Sequence, residues 1–449
     1  MQRQLGSASV LEVRYLGHRT LHQWIATDTN EVNVFENGFL DEFKSAQSNL
    51  AICVANPGCS ANPSFANSGL AGQVNLPIFQ TAFQGENVVS GQLADFRNGT
   101  FITALNRGAV GSIAGALANP FGPVPYICNL VGSSLTPCAT NYGATSPGPY
   151  PVNFFQANPY ANGIGYPQFG DTAALASFMD AQGYGTYHAL QIDFRQKQWH
   201  GMQFDVNYTW SHTLGIQPDN SWTGSTTIFS VRNLRDSYAP TSFDLRHVVH
   251  ASGTFDLPFG HTKKFLNRSG IVDKVVGGWT LGTIVTIQSG FPFALTGDYL
   301  TSNDYGGGGF ATSASALAKL QSAVGVFNPN CTTNCGFVNG FDTSVIIAPA
   351  NNICNSRALG VCQNTDPGTF GSHPYLYGPH LWNADLSITK VVPLGERLRF
   401  SLQGEFLNAF NHPNFANPNG NVTSSNFGHS GPSNFNGPRV VELRANFSF

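Results

Sequence analysis

The chain is 449 residues long with a formal net charge of −3; 10% of its residues are charged and 12% are aromatic. So little charge, slightly negative in balance, excludes the basic footprint of a nucleic-acid-binding protein, and no nucleic acid is expected as a partner. No apolar run approaches the roughly 18 to 20 residues of a membrane helix, while 49 Gly and 26 Pro suit strands joined by turn-rich connections.

Met1 to Val10 (MQRQLGSASV) lacks the apolar stretch of a secretory signal, so the chain is expected to begin inside a longer protein. Leu11, Val13 and Tyr15 then alternate with Glu12 and Arg14 in a short strand that ends at Gly17. Phe35, Phe39, Phe43, Ala46 and Leu50 fall at helical spacing, opposite Glu36, Asp41, Glu42 and Lys44. This spacing predicts an amphipathic helix over Phe35–Leu50 that packs on its own connection. From Asn56 to Gly170 the chain is rich in Asn, Pro, Gly, Ser and Phe, the composition of an irregular but ordered loop.

Alternation then returns. Leu190, Ile192 and Phe194 oppose Gln191, Asp193 and Arg195. After a tight turn at Gln196 to Gly201, Met202, Phe204, Val206, Tyr208 and Trp210 oppose Gln203, Asp205, Asn207, Thr209 and Ser211. Val249, Ala251, Gly253, Phe255 and Leu257 oppose His250, Ser252, Thr254 and Asp256. Trp279, Leu281, Thr283, Val285 and Ile287 oppose Thr280, Gly282, Thr286 and Gln288, with Ile284 as an exception. Leu386 and Ile388 oppose Asp385, Ser387 and Thr389, and Leu398, Phe400, Leu402, Gly404 and Phe406 oppose Arg399, Ser401, Gln403 and Glu405. The last strand sets Val441, Leu443, Ala445, Phe447 and Phe449 against Val440, Glu442, Arg444, Asn446 and Ser448.

A period of two gives each of these eight strands one apolar and one polar face. A soluble sandwich could bury the apolar face, but the connections favour a membrane barrel. Long ones, about 17–186, 212–246, 290–380 and 407–438, alternate with short ones throughout. Outer-membrane barrels have long extracellular loops and short periplasmic turns, with apolar residues to lipid and polar ones to the lumen. The expected fold is therefore all-β, an antiparallel transmembrane β-barrel with long extracellular loops. Eight strands close around an interior filled by side chains, whereas barrels of about 22 strands hold a plugged lumen. An open set of eight would leave two unpaired edges in lipid, so these strands are expected to be part of a larger barrel.

Cys53, Cys59, Cys128 and Cys138 fall in the first long connection, and Cys331, Cys335, Cys354 and Cys362 in the third. Even numbers in each suit disulfides of an oxidising compartment, with three connectivities open within each loop. Metal binding is the rival at Cys331 and Cys335 (CTTNC), but no His lies close in sequence and no metal is expected. His18 with His22, and His247 with His250, have no ligand geometry to recommend them. The run Gly306 to Gly309 lacks the Lys of a phosphate loop and reads as a flexible surface loop. Neither a nucleophile motif nor a compelling carboxylate pair occurs, so no catalysis and no cofactor are expected.

Phe243–Gly260 (FDLRHVVHASGTFDLPFG), Gly277–Phe293 (GGWTLGTIVTIQSGFPF) and Phe400–Pro418 (FSLQGEFLNAFNHPNFANP) carry a family resemblance. Leu11–Leu21 (LEVRYLGHRTL) and Phe35–Leu50 (FENGFLDEFKSAQSNL) fit it too. These stretches resemble the barrel of Oar-like TonB-dependent receptors, and the chain is similar to its C-terminal part. The resemblance implies a bacterial outer-membrane transporter with a 22-stranded barrel, a plug inside it, and energy from the TonB complex. The plug and the N-terminal regulatory-like domain have no counterpart in residues 1–449.

The implied partners are outer-membrane lipid, the N-terminal barrel and plug portion, TonB through that portion, and an unknown large substrate. The outer-membrane barrel assembly machinery is a further implied partner, reading Phe449 and Phe447 as an assembly signal. The alternative function is a self-contained small barrel acting as a surface adhesin or structural protein. A secreted β-rich enzyme would need a polar site that the sequence does not offer.

Overall fold

The computed structural model describes residues 2–6, 8–28, 31–84, 94–120, 122–155, 177–216, 228–304, 306–325, 338–339, 361–395, 398–431, 435 and 437–449. Its strands are β1 (Gln2–Leu5), β2 (Ser9–Asp28), β3 (Ser177–Trp199), β4 (Met202–Gly215), β5 (Ala239–Pro240), β6 (His247–Asp256), β7 (Trp279–Gln288) and β8 (Pro292–Ala294). They continue as β9 (Phe310–Thr312), β10 (Val338–Asn339), β11 (Val361–Gln363), β12 (Tyr375–Tyr377), β13 (Leu381–Pro393), β14 (Arg399–Leu407), β15 (His429–Ser430) and β16 (Val440–Ser448). One antiparallel sheet runs in the order β1-β2-β3-β4-β6-β7-β13-β14-β16, with β5 added to β4. All eight strands read from alternation are in it, and among the described residues it is open, with β1 and β16 as its edges.

Register explains why the alternation was so regular. Leu11, Phe194, Val206, Ala251, Val285 and Ala384 lie opposite one another across six strands. One residue further along, Glu12, Asp193, Asn207, His250, Thr286 and Asn383 do the same. At the other edge Leu443, Gly404, Ile388, Leu281, Phe255 and Met202 form a second apolar row. A one-residue slip anywhere would carry charge into the apolar face, so the pattern and the register enforce each other. The apolar face stays uncovered along β16, where Leu443 is 77% and Phe447 63% exposed.

The first two strands of that set are longer than expected. β2 continues past Gly17 to Asp28, and β3 begins at Ser177 rather than after Thr186. Register shifts between Thr20 and Gln23, and again between Gln23 and Ile25, flip the facing of β2. The side-chain period breaks there while the backbone ladder goes on.

The connection between β2 and β3 is a second correction. Instead of an irregular loop after Asn56, it folds into helices: α1 (Phe39–Ala55), α2 (Pro57–Ser60), α3 (Pro77–Ala82), α4 (Gly99–Asn106), α5 (Val110–Ala118), α6 (Tyr126–Val131) and α7 (Thr136–Tyr142). The Asn and Pro that read as loop residues start these helices. The Asn56 side chain accepts from Gly58 N and that of Asn98 from Thr100 N, while Pro57, Pro77 and Pro137 occupy first-turn positions. Phe39, Phe43, Ala46 and Leu50 of α1 are buried, in a cluster with Phe65, Phe79, Phe83, Phe96 and Phe101. Edge-on ring pairs such as Phe65 with Phe96, at 5.0 Å, hold that core.

Two further α-helices lie elsewhere among the described residues: α8 (Ile271–Val276) between β6 and β7, and α9 (Ala314–Ala323) between β9 and β10. Antiparallel pairing sets the connection bearing α1–α7, and those after β4, β7 and β14, at one end of the sheet. The β3–β4 turn, the α8 connection and the β13–β14 turn lie at the other. At the first end the connections form one cap. Gly108 lies so close to Thr365, and Gly111 to Asn303, that a Cβ would meet their backbone oxygens at 1.9 and 1.7 Å.

Candidate functional site

A buried carboxylate stitches the cap together. Glu31, at 0% exposure, accepts from Ser230 Oγ at 2.7 Å, Val231 N at 2.8 Å and Asn303 Nδ2 at 3.1 Å. Ser230 and Val231 belong to the connection after β4 and Asn303 to the one after β7, so with Glu31 three connections meet here, and each donor offsets part of the desolvation of the acid. The glycine run beside it is packed rather than a flexible loop. A Cβ at Gly306 would meet Phe229 O at 2.0 Å, and one at Gly308 would meet Thr301 Oγ1 at 1.9 Å.

Where this cap meets the sheet, a cavity of about 510 Å³ opens between β4, β5, β9, α9 and β12. Its lining includes Tyr238, Tyr375, Tyr377, His212, His373 and Arg246. Asp244, fully buried, organises that wall. It accepts from Thr213 N at 2.6 Å and Tyr377 Oη at 2.5 Å, and lies 3.1 Å from His212 Nδ1 and 3.3 Å from Arg246 Nε. Arg246 also donates to Tyr377 Oη at 2.9 Å and lies 5.2 Å from the centre of that ring. Burial, and then the bond donated to Asp244, push the Tyr377 phenol up to about 12. His373 stacks on Phe229 at 3.4 Å with its Nε2 buried and unpartnered, and burial lowers its pKa to about 4.

A second concave surface lies on the polar face of the sheet. Arg195 Nε is 2.8 Å from Asp193 Oδ1 and 3.1 Å from Asp205 Oδ2. A groove of about 510 Å³ runs past this network over Gln203 of β4, Ser252 and Thr254 of β6, Thr283 of β7 and Ser387 of β13. The two surfaces differ in chemistry. The cavity offers aromatic faces and fixed donors with the Arg246 charge balanced by Asp244, which suits stacking and hydrogen bonding to a ligand. The groove offers a hydrophilic track.

The sequence-predicted residues fall as follows. Cys53 bonds to Cys59 and Cys128 to Cys138, both within the cap. Cys362 is also disulfide-bonded, while Cys331, Cys335 and Cys354 lie outside the described residues. Phe447 faces Phe400 across β14 and β16, and Phe449 lies one residue beyond β16, fully exposed. Among the described residues no cluster of three or more His, Cys, Asp or Glu is placed to hold a metal. The cavity residues His212, Asp244, Arg246, His373 and Tyr377 were not predicted. They come from segments 32 to 161 residues apart in chain position, and nothing in their spacing joins them.

A two-faced antiparallel wall with its long connections gathered at one end fits the wall of a membrane β-barrel. The chain belongs to the family described as outer membrane beta barrel domain, whose profile matches residues 1–442. Its place is the bacterial outer membrane. No curated protein matches the sequence. Among solved structures, the outer membrane transporter YddB from Escherichia coli aligns over 61% of this chain and 26% of its own, at 8% identity and a TM-score of 0.29.

Proposed function

We propose that this wall is part of an Oar-like TonB-dependent receptor that moves a large substrate across the outer membrane, binding it without catalysis. The open sheet is the observation that carries the reading. Backbone groups at the edges of β1 and β16, unpaired among the described residues, would have no solvent in lipid to satisfy them, which supports a wall completed by further strands. A barrel of about 22 strands leaves a lumen wide enough for a plug, and the Arg195 groove would line it. The long connections are then extracellular, and the cavity beneath the cap is the first place a substrate meets the protein. The apolar stripe from Val441 to Phe449 would be what the assembly machinery reads.

The test is capture of the intact protein from its native outer membrane by the periplasmic domain of TonB. Saturable binding that strengthens when substrate is present supports the reading. A closed barrel of these wall strands alone, with no TonB binding, would replace it with a surface adhesin.

A further inference from the structure

The connection from Leu257 to Gly278, at the end of the sheet away from the cap, has an unusual composition. It carries Lys263, Lys264, Arg268 and Lys274 against one acid, Asp273, in a chain whose net charge is negative. Asp273 is engaged internally, its Oδ1 accepting from His261 N at 2.6 Å. Beside these cations, large apolar side chains stand in the open: Ile271 at 82%, Val275 at 63%, Leu266 at 54% and Phe265 at 49% exposure. Basic and apolar groups interleaved on one short amphipathic segment are the mark of an interfacial element.

Its attachment says which face of the wall it belongs to. Trp279, Lys390 and Leu402 are registered partners on the apolar face. Two of them grip the end of α8. Trp279 Nε1 donates to Val275 O at 2.9 Å, and Lys390 Nζ donates to Val275 O at 3.2 Å and to Gly277 O. The Lys390 ammonium also lies 5.3 Å from the centre of the Trp279 ring. Lys390 is the charged residue in an otherwise apolar row, and these carbonyls let its long stem lie along that face with the charge satisfied. The helix is therefore moored to the apolar side of the wall, not beneath the polar one.

We propose that Leu257–Gly278 is a lipid-binding foot that lies in the periplasmic phospholipid leaflet and prefers anionic headgroups such as phosphatidylglycerol. Phe265, Leu266, Ile271 and Val275 sit among the upper acyl chains. Lys264, Arg268 and Lys274 meet the headgroup phosphates, each basic residue adding to the attraction. The inference rests on the orientation given under Proposed function, with the cap outside the cell.

The experiment compares the full-length protein with two variants, both purified in mild detergent from membranes of defined composition. One is Lys263→Gln, Lys264→Gln, Arg268→Gln, Lys274→Gln; the other is Ile271→Ser, Val275→Ser. Native mass spectrometry counts retained phosphatidylglycerol, phosphatidylethanolamine and lipid A, and heat-modifiability shows that each barrel has assembled. The parent should retain phosphatidylglycerol selectively. The charge variant should lose that preference by about tenfold or more, and the apolar variant should lower retention of both phospholipids. Unchanged retention in assembled variants would overturn the foot while leaving the transporter reading intact. Selective loss of lipid A instead would place the segment in the outer leaflet, overturning both the foot and the assumed orientation. Protease cleavage of the cap on whole cells checks that orientation separately.

Discussion

Phe400 and Phe447 face each other across a registered pair of β14 and β16, with ring centroids 4.8 Å apart on the apolar face. β16 has a single strand neighbour among the described residues, so this ring pair reinforces the edge. Such a pair contributes about 0.5–1.5 kcal/mol beyond the area it buries. Phe447→Ala should therefore lower the yield of heat-modifiable barrel in the outer membrane, and Phe400→Ala should add little to it in the double variant. Asn446→Ala, on the other face, should assemble like the parent. Equal loss from Asn446→Ala would remove the pair from the account.

The cap disulfides close short loops, with sequence separations of 6 and 10. Loops of that size restrict the unfolded chain by about 2–3 kcal/mol each. Reduction under native conditions should speed proteolysis within residues 31–155 and leave the heat-modifiable wall unchanged. Loss of the wall on reduction would show that the cap and the sheet do not fold as separable units.

Glu42 gives the cap a pH dependence. Its carboxylate accepts from Ile78 N at 3.0 Å and Phe79 N at 2.8 Å at the start of α3, yet burial raises its pKa from 4.5 to about 7. Below pH 4.5 both folded and unfolded chains hold the proton. Between 4.5 and about 7 the unfolded chain has released it while the folded one keeps it, so stability falls as pH rises through that window. The loss is on the order of 3 kcal/mol. His373 acts in the opposite sense, because its lowered pKa makes stability fall as pH drops from 6.5 toward about 4. The difference between Glu42→Gln and the parent isolates the first effect. Proteolytic stability of the cap should fall between pH 5 and 7.5 in the parent by more than in the variant.

Asp244 is the keystone of the cavity wall. Replacing it by Asn leaves Arg246 without its carboxylate and weakens the bonds from Thr213 and Tyr377. The cost should be about 2–3 kcal/mol, lower than for a fully buried pair because Arg246 is partly exposed. Tyr377→Phe, which removes one donor, should cost about 1 kcal/mol. Thermal unfolding of the cap, followed by near-ultraviolet circular dichroism, should rank the two variants in that order.

Much of the wall was legible in the sequence because the apolar face has to be uniform along each strand, and Val206 or Leu402 cannot exchange facing with Asn207 or Gln403. Legibility failed where that constraint lapses. In β2 the shifts around Gln23 break the side-chain period beyond Gly17. In the cap, Asn56, Asn98 and Pro77 start short helices, and residues with turn chemistry serve helix ends equally well. The cavity was invisible for another reason. His212, Asp244 and Tyr377 meet only because the sheet brings the ends of β4, β6 and β13 together and the cap folds over them.

The most direct measurement of the central claim, that one face of this wall meets lipid, is the assembly of four arginine variants. Leu402 and Val206 lie on the apolar face; Gln403 and Asn207 lie beside them on the polar face. Leu402→Arg and Val206→Arg should cost roughly 2–4 kcal/mol near the bilayer midplane and sharply reduce folded protein in the outer membrane. Gln403→Arg and Asn207→Arg should assemble close to the parent level. Equal assembly of all four variants, or the reverse ranking, would contradict the account.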